Sequence, residues 1–273
     1  MTTGAKTLGG GINAALYLHG ARLAFRRQFA YPAATFWGLT TNLFFGALRV
    51  AVILALFGAR PQVAGFTAQG AITYTGLTQA FLSAFAMFGW YDLMRTIHRG
   101  EVATELLRPH SFLGFWMAQD AGRAAAQFLL RGCTILALYA LIWGLQRPAS
   151  PGLLAVSMLF AWACGFAFRF WVNCAAFWSA DAVGIGRFAW AWMGLACGFL
   201  MPLAFFPPWL QRVLACTPFP SMMNTMVEVW LGVRTGAGAV QGIAVQAAWT
   251  VALLALARLT LARGLRRLEV AGG

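Results

Sequence analysis

The chain has 273 residues, of which 60% are hydrophobic and only 10% are charged, and its net charge is +13. An ordinary soluble domain carries about 25% charged residues, which help to cover its surface. This composition excludes a disordered chain and a typical soluble enzyme, and it predicts that lipid covers much of the protein. The positive charge does not indicate a nucleic-acid partner, because the cations lie between long apolar runs instead of clustering on one polar face.

The first predicted element is an amphipathic helix at residues 12–31. One side of this helix carries four basic residues, which are His19, Arg22, Arg26 and Arg27. The opposite side is mostly apolar, so we expect the helix to lie in the membrane interface with its cations toward lipid phosphates. A solvated, positively charged flank is the alternative. Residues 1–32 are therefore predicted to form a cytoplasmic N-terminal region that contacts membrane lipids.

After residue 32, six apolar runs are long enough to cross the hydrocarbon core, which takes about 20 helical residues. They cover about residues 33–57, 66–90, 124–145, 153–178, 188–206 and 240–261. These runs are too long for membrane strands and lack the alternation of strands. The sequence predicts an all-α membrane protein with one six-span domain at residues 33–262 and a cytoplasmic tail at residues 263–273.

The basic residues predict the orientation of these spans. If the N-terminus is cytoplasmic, the inner segments hold thirteen of the 20 Lys and Arg residues, the outer loops hold four, and three lie within spans. Loops rich in Lys and Arg remain on the cytoplasmic side of a membrane. Both termini are therefore predicted to be cytoplasmic.

The inner loop at residues 91–112 is the longest polar segment between two predicted spans. Its basic and acidic residues alternate around a glycine, which permits a sharp bend. The residues that we single out are Arg95, His98, Arg99, Gly100, Glu101, Glu105, Arg108 and Pro109. Mixed charges of this kind suit a surface that docks on another protein, and a plain solvated loop is the alternative.

The outer segment at residues 207–239 contains four prolines and an apolar piece, residues 222–231, that includes Glu228. This piece is too short to cross the membrane. We expect a re-entrant or interfacial helix that is buried against the spans. A hydrophobic surface loop packed on the bundle is the alternative.

Three arginines, Arg49, Arg131 and Arg169, lie within predicted spans. Charged residues are costly in lipid, and they either reach toward the interface, pair inside the bundle, or line a substrate path. These three are therefore candidates for a path that admits an anionic or amphipathic substrate. No acidic residue lies deep in a predicted span, which disfavours an ion-coupled carrier.

The motifs of common catalytic and cofactor sites are missing from the sequence. The only lysine, Lys6, has no glycine-rich phosphate loop before it, and neither a G-x-S-x-G nor an H-E-x-x-H motif is present. The five cysteines form no C-x-x-C pair, and the three histidines are scattered. We therefore expect no catalytic residue, no metal site and no cofactor bound by this chain.

The loop at residues 97–109 reads Ile-His-Arg-Gly-Glu-Val-Ala-Thr-Glu-Leu-Leu-Arg-Pro. It resembles the "G-E-hydrophobic … L-L-R-P" loop in one bacterial branch of the membrane-spanning permeases of type-2 ABC exporters. The ending Arg263-Gly264-Leu265-Arg266-Arg267 is similar to the ending of that branch. The order of the predicted elements, from amphipathic helix to re-entrant segment, resembles that family along essentially the whole chain.

The resemblance implies a permease in a bacterial inner membrane, with a connector helix at residues 12–31. The inner loop would be a coupling helix that docks on a separate ATPase, and that ATPase would bind ATP and Mg. Two permease chains, identical or sister, would export an amphipathic, lipid-like, drug or peptide substrate along their interface. The main alternative is an ion-coupled carrier. A second and weaker alternative is a lipid-modifying enzyme that would use the cluster of Asp92, His98, Glu101 and Glu105.

Overall fold

The computed structural model describes residues 14–108 and 110–267, so Lys6 and Pro109 lie outside the described residues. The chain is 76% helical. The one strand pair in the described part is a two-residue antiparallel hairpin of β1 (Gln62–Val63) and β2 (Phe66–Thr67). The predicted all-α class is therefore confirmed.

The α-helices are named in chain order. They are α1 (Ala14–Arg27), α2 (Pro32–Phe57), α3 (Ala68–Leu82), α4 (Asp92–His98), α5 (Val102–Leu106), α6 (Phe112–Gln127), α7 (Cys133–Ile142), α8 (Pro151–Asn173), α9 (Ala182–Ala196), α10 (Pro208–Ala215), α11 (Phe219–Met222), α12 (Asn224–Leu231) and α13 (Gly236–Leu265). A π-helical turn, Phe128–Gly132, joins α6 to α7. Two 3-10 turns, Cys174–Phe177 and Leu203–Phe205, follow α8 and α9.

Within the described residues, four helices are long and apolar enough to cross a membrane. They are Pro32–Phe57, Phe112–Ile142, Pro151–Phe177 and Gly236–Leu265. The other two predicted spans contain α3 and α9, which have 15 residues each. At 1.5 Å per residue, each covers about 22 Å of a core that is about 30 Å thick. The chain is thus a multi-pass membrane protein, and the count of six spans stays a prediction.

The third span begins earlier than its apolar run indicates. The sequence predicts a start near residue 124, whereas the helix begins at Phe112. Hydropathy is low at the start of α6 because Asp120 and Arg123 lie there, but these side chains pair with each other across one helical turn. Asp120 therefore lies inside a candidate span, whereas the sequence places it in the segment before the third span.

The amphipathic N-terminal segment forms α1, as predicted, and α1 packs along α6. Two glycines allow this contact, because a side chain on Gly122 would overlap the backbone of Ala21 and one on Gly20 would overlap Phe115. The four basic residues predicted for its polar side, His19, Arg22, Arg26 and Arg27, are all exposed. The helix thus presents a basic face while its small residues contact the bundle.

The core of the bundle surrounds α8, which packs on α13, α12 and α11. A buried amide joins three of these helices, since Ser157 donates to Gln246 (2.8 Å) and Gln246 donates to the carbonyl of Ser221 (2.9 Å). The outer segment is not one helix but three, α10 to α12, because prolines at positions 208, 218 and 220 interrupt it. Its apolar part, α12, is largely buried.

Candidate functional site: an arginine-lined cavity and a docking hairpin

The backbone is irregular after α3, and two arginines bind the carbonyl groups that have no helical partner there. A helix end has carbonyl groups without partners, and lipid offers them no water. Arg123 donates to the carbonyls of Ser83 (3.0 Å) and Ala84 (2.9 Å), and Arg169 donates to the carbonyl of Phe85. The irregular segment between α3 and α4 is therefore held by side chains of α6 and α8.

Asp120 balances these two arginines. Its carboxylate accepts from Arg123 (2.7 Å), from Arg169 (2.8 Å) and from the indole of Trp162 (2.9 Å). The side chains of Asp120 and Arg169 are 1% and 0% exposed. Buried charges persist when they are paired and hydrogen-bonded, so this network forms a fixed junction between α6, α8 and the end of α3.

The end of α9 is held in a different way. Arg49 of α2 donates to the carbonyls of Phe199 and Leu200 (2.9 Å) and to the hydroxyl of Thr78 (3.3 Å). Its guanidinium also lies over the Phe199 ring, 4.9 Å from the centroid. Among the described residues, no carboxylate lies within 4.0 Å of Arg49, and its buried Nη1 has no hydrogen-bond partner. This cation is therefore bound to backbone but not neutralised.

Arg131, in the π-helical turn, reaches across to α2. It donates to the carbonyl of Ala34 (2.9 Å) and to the hydroxyl of Ser83 (3.3 Å), and its buried Nε has no partner in the described structure. A side chain on Gly38 would overlap the guanidinium. The glycine thus provides the space that the Arg131 side chain occupies.

These arginines line a cavity of about 650 Å³ between α2, α3 and α6. Arg49, Arg123 and Arg131 are its charged lining residues, and no carboxylate is among the described residues that line it, although Asp120 pairs with Arg123 from behind the lining. Two of the three arginines predicted for a path, Arg49 and Arg131, therefore share one cavity. The third, Arg169, lies in the buried network beside Asp120.

Sequence reasoning did not single out Arg123 or Asp120 as site residues. Their signal is present, because an acid and an arginine three residues apart face each other on a helix. The structure also brings no group of three His, Cys, Asp or Glu side chains together within the residues it describes. The charged part of the cavity lining, as far as the structure describes it, is therefore basic.

The predicted docking loop forms a hairpin of α4 and α5, which we call the docking hairpin. Asn173, at the C-terminal end of α8, fixes its base. The side chain of Asn173 accepts from the backbone N–H of Met94 (3.1 Å) and donates to the carbonyl of Trp90 (2.8 Å). His98 adds a contact between its Nε2 and the carbonyl oxygen of Ser179 (3.2 Å). Helix α4 is therefore attached to the end of α8.

The surface of the docking hairpin is charged. Arg95 pairs with Asp92 (3.4 Å) and Arg99 lies 3.8 Å from Glu101, and all four side chains are more than half exposed. The bend between the two helices is at Gly100, whose φ of +73° favours glycine. Leu107 and Arg108 are exposed beside these charges. Most of the predicted docking residues thus face outward.

Glu105 differs from the other residues of the docking hairpin. It is only partly exposed, and its carboxylate accepts from the indole N–H of Trp116 (3.2 Å). Burial raises the pKa of Glu105 above its usual value, and the Trp116 hydrogen bond partly opposes that increase. Its place is therefore against α6 and not on the exposed surface.

Comparison with known proteins agrees with the sequence motif in the docking hairpin. A family model described as ABC-2 family transporter protein matches residues 43–272, which is most of the chain. The chain belongs to this family. A search of curated proteins finds no match. The resemblance to type-2 ABC permeases is confirmed, and the protein is an ABC-2 permease, a membrane transport subunit rather than an enzyme. Members of this family work with an ABC ATPase subunit.

Proposed function

We propose that this ABC-2 permease is the membrane subunit of an ATP-driven exporter in a bacterial inner membrane. Two permease chains, identical or sister, would assemble with separate ATPases that bind ATP and Mg. The substrate would be an amphipathic molecule taken from the cytoplasm or the inner leaflet. The observation that carries the proposal is the docking hairpin, whose charged surface is exposed while its base is attached to α8.

The contacts of the hairpin supply a route from the ATPase to the cavity. Asn173, which anchors α4, also donates to the carbonyl of Arg169 (2.8 Å) one turn earlier on α8. Arg169 in turn binds Asp120 and the carbonyl of Phe85. Movement of the docking hairpin is therefore delivered to the inner end of α8 and to the end of α3, beside the cavity. Closure of the ATPases would bias the bundle between two packed states through this route.

The proposal also assigns the two short helices. We propose that residues 66–90 and 188–206 cross the membrane as helix followed by irregular backbone, and that both termini are cytoplasmic. Irregular backbone is tolerated at membrane depth where protein satisfies it, as the arginines do here. We also propose that α12 is the re-entrant element, with Glu228 near its end paired to Arg234.

An ion-coupled carrier is less well supported. Such a carrier needs an exchangeable acid within the membrane, and Asp120 is the acid that the structure describes in a candidate span. Its carboxylate is occupied by two guanidiniums and an indole. The local cluster that an embedded enzyme would need does not converge either, since Asp92, His98 and Glu105 contact Arg95, Ser179 and Trp116 respectively.

A charge reversal on the docking hairpin tests the proposal. We expect Glu101→Arg to weaken assembly with the ABC ATPase and to lower the ATPase activity of the purified complex about tenfold. The reason is that the substitution reverses an exposed charge on the surface of the docking hairpin. Glu101 is preferable to Glu105, whose substitution would also disturb the contact with Trp116.

The matched control is Arg212→Glu, which reverses an exposed charge on α10. It should leave both assembly and activity unchanged. If the Glu101→Arg complex assembles and hydrolyses ATP like the wild type, the docking role of the hairpin is wrong.

A further inference from the structure

The cavity between α2, α3 and α6 carries positive charge that the described residues do not neutralise. Of its three arginines, Arg123 is paired with Asp120. Arg49 and Arg131 have no carboxylate within 4.0 Å among the described residues. Unpaired cations are unfavourable at membrane depth. An anionic group in the cavity would therefore be stabilised at two places.

Each of these two cations also lies in a polar setting that is incompletely bonded. Asn42 and Gln79 line the same cavity as Arg49 and are 5% and 2% exposed, and their buried carboxamide oxygens have no partner among the described residues. Near Arg131, Gln127 donates to Gln28 (2.7 Å) while its own Oε1 has no partner. Buried polar atoms in native proteins are nearly always bonded. The cavity thus offers free cationic donors together with free acceptors.

The remainder of the cavity is apolar and reaches the surface of the chain. Phe45, Phe88 and Leu200 border it and are 54%, 75% and 48% exposed. Gly38, which touches Arg131, and Arg49 are eleven positions apart on α2, a distance of about 16 Å along the helix. The cavity therefore combines a polar interior with an opening bordered by exposed apolar side chains.

We propose that this cavity binds an anionic amphiphile whose headgroup also carries hydroxyl donors. The anionic oxygens would bind Arg131, the hydroxyls would bind the free Nη1 of Arg49 and the free carboxamide oxygens, and the apolar tail would lie along Phe45 and Phe88. A glycerol phosphodiester lipid is the simplest molecule of this kind. As an assignment of substrate class, the inference rests on the proposed function, whereas as a binding site it does not.

Binding is measured on the purified full-length chain in a neutral detergent, without ATPase or nucleotide. The probes are phosphatidylglycerol, phosphatidylcholine with the same acyl chains, and soluble glycerol phosphate. We expect phosphatidylglycerol to bind at least tenfold more tightly than either of the others. Equal binding of phosphatidylcholine would overturn the anionic requirement, and equal binding of glycerol phosphate would show that the ligand is a soluble phosphate.

Four variants locate the site. Arg131→Gln and Arg49→Gln should each weaken binding of phosphatidylglycerol by about ten- to hundredfold, the usual loss of a hydrogen bond to a charged group. Arg212→Gln, which removes an exposed arginine of α10, should bind like the wild type. Gly38→Ala keeps every charge but displaces the Arg131 guanidinium, so it should also weaken binding.

Arg131→Lys separates a lost charge from lost folding. It retains the cation and should keep binding within a few-fold of the wild type, with an unchanged thermal unfolding curve. If Arg212→Gln weakens binding as much as Arg131→Gln does, the site lies elsewhere. Full transport by an Arg131→Gln complex that no longer binds the lipid would confirm a resident lipid site and overturn the substrate assignment. The binding assay contains no ATPase, so failure of the exporter proposal does not affect it.

Discussion

The ends of α3 and α9 are two solutions to the same physical problem. Each helix stops after 15 residues and leaves irregular backbone inside an apolar bundle. At α3, Arg123 and Arg169 bind the free carbonyls, and Asp120 neutralises one of their two positive charges. At α9, Arg49 binds the carbonyls alone. Backbone at membrane depth thus requires a donor, but a compensating acid is present at only one of the two described ends.

The difference separates a structural junction from the surface that we propose to bind ligand. The junction at α3 is closed by charge pairing, since both oxygens of Asp120 have partners and Arg169 is 0% exposed, although the Nε of Arg169 has no hydrogen-bond partner among the described residues. The end of α9 keeps a free guanidinium nitrogen at Arg49 and faces the cavity. We therefore expect substitutions at the first end to act on stability and those at the second to act on binding.

The largest expected effect follows Asp120→Asn. This change leaves the buried guanidinium of Arg169 and the partly buried one of Arg123 with one neutral partner, and breaking a buried ion pair in this way costs about 3–5 kcal/mol. Thermal unfolding of the purified chain measures it, with Asp92→Asn as the control, because that exposed pair contributes about 0–1 kcal/mol. Arg49→Gln should cost less than Asp120→Asn, since it strands no acid.

The double variant Asp120→Asn with Arg169→Met tests the mechanism further. It removes one of the stranded cations, so it should recover part of the loss that Asp120→Asn produces alone. A stability loss for Asp120→Asn no larger than that for Asp92→Asn would show that the junction is not held by charge.

The sequence predicts the fold where a residue pattern acts locally, and not where a distant side chain decides the backbone. The four long helices coincide with long apolar runs, and α1 coincides with an amphipathic pattern. The run after Leu82 is just as apolar but is not helical, because Arg123 and Arg169 bind its carbonyls. Hydropathy does not register such contacts, so it predicts a longer span than the helix shows.

The same distinction applies to the candidate site. The rarity of arginine in apolar runs points to Arg49 and Arg131, which share the cavity. It points equally to Arg169, whose partner Asp120 lies 49 positions away in the sequence and is identified only by the packing of α6 on α8. The motif at residues 97–109 predicts the docking hairpin, yet the inward position of Glu105 depends on Trp116.

A smaller effect is expected from Gly198→Ala, at the end of α9. Gly198 has a φ of +84°, and a side chain there would overlap the hydroxyl of Tyr74, which donates to the Gly198 carbonyl (2.7 Å). Overpacking and backbone strain of this kind cost about 1–3 kcal/mol, which unfolding measurements will detect. Gly194→Ala is the control, because it lies within α9 with nothing within 4 Å of an added side chain.

The result for Gly198→Ala sharpens the comparison between the two helix ends. If Gly198→Ala destabilises the chain as much as Asp120→Asn does, then the end of α9 contributes as much to stability as the junction at α3. The distinction between a structural junction and a binding surface then fails. A loss within the smaller range leaves the distinction intact, provided that Gly194→Ala behaves like the wild type.

The smallest expected effect concerns Glu105. Its carboxylate accepts from an indole N–H, whereas that of Asp120 is paired with two guanidiniums. Burial raises the pKa of Glu105, so the folded chain binds its proton more tightly than the unfolded chain. The contribution to stability is therefore present below the unfolded pKa and is lost as pH rises through the higher, folded value. Unfolding curves between about pH 4 and pH 7 should show this loss in the wild type.

Glu105→Gln removes the titrating group and retains an oxygen that accepts from Trp116. The variant should therefore lose that part of the pH dependence, and at neutral pH it should be as stable as the wild type or slightly more so. The Asp120→Asn variant is expected to behave in the opposite way and to be less stable than the wild type at neutral pH, because the Asp120 carboxylate pairs with two guanidiniums. If the stability of the Glu105→Gln variant keeps the full pH dependence of the wild type, a group other than Glu105 is responsible. Burial of Glu105 against α6 then does not explain the pH dependence.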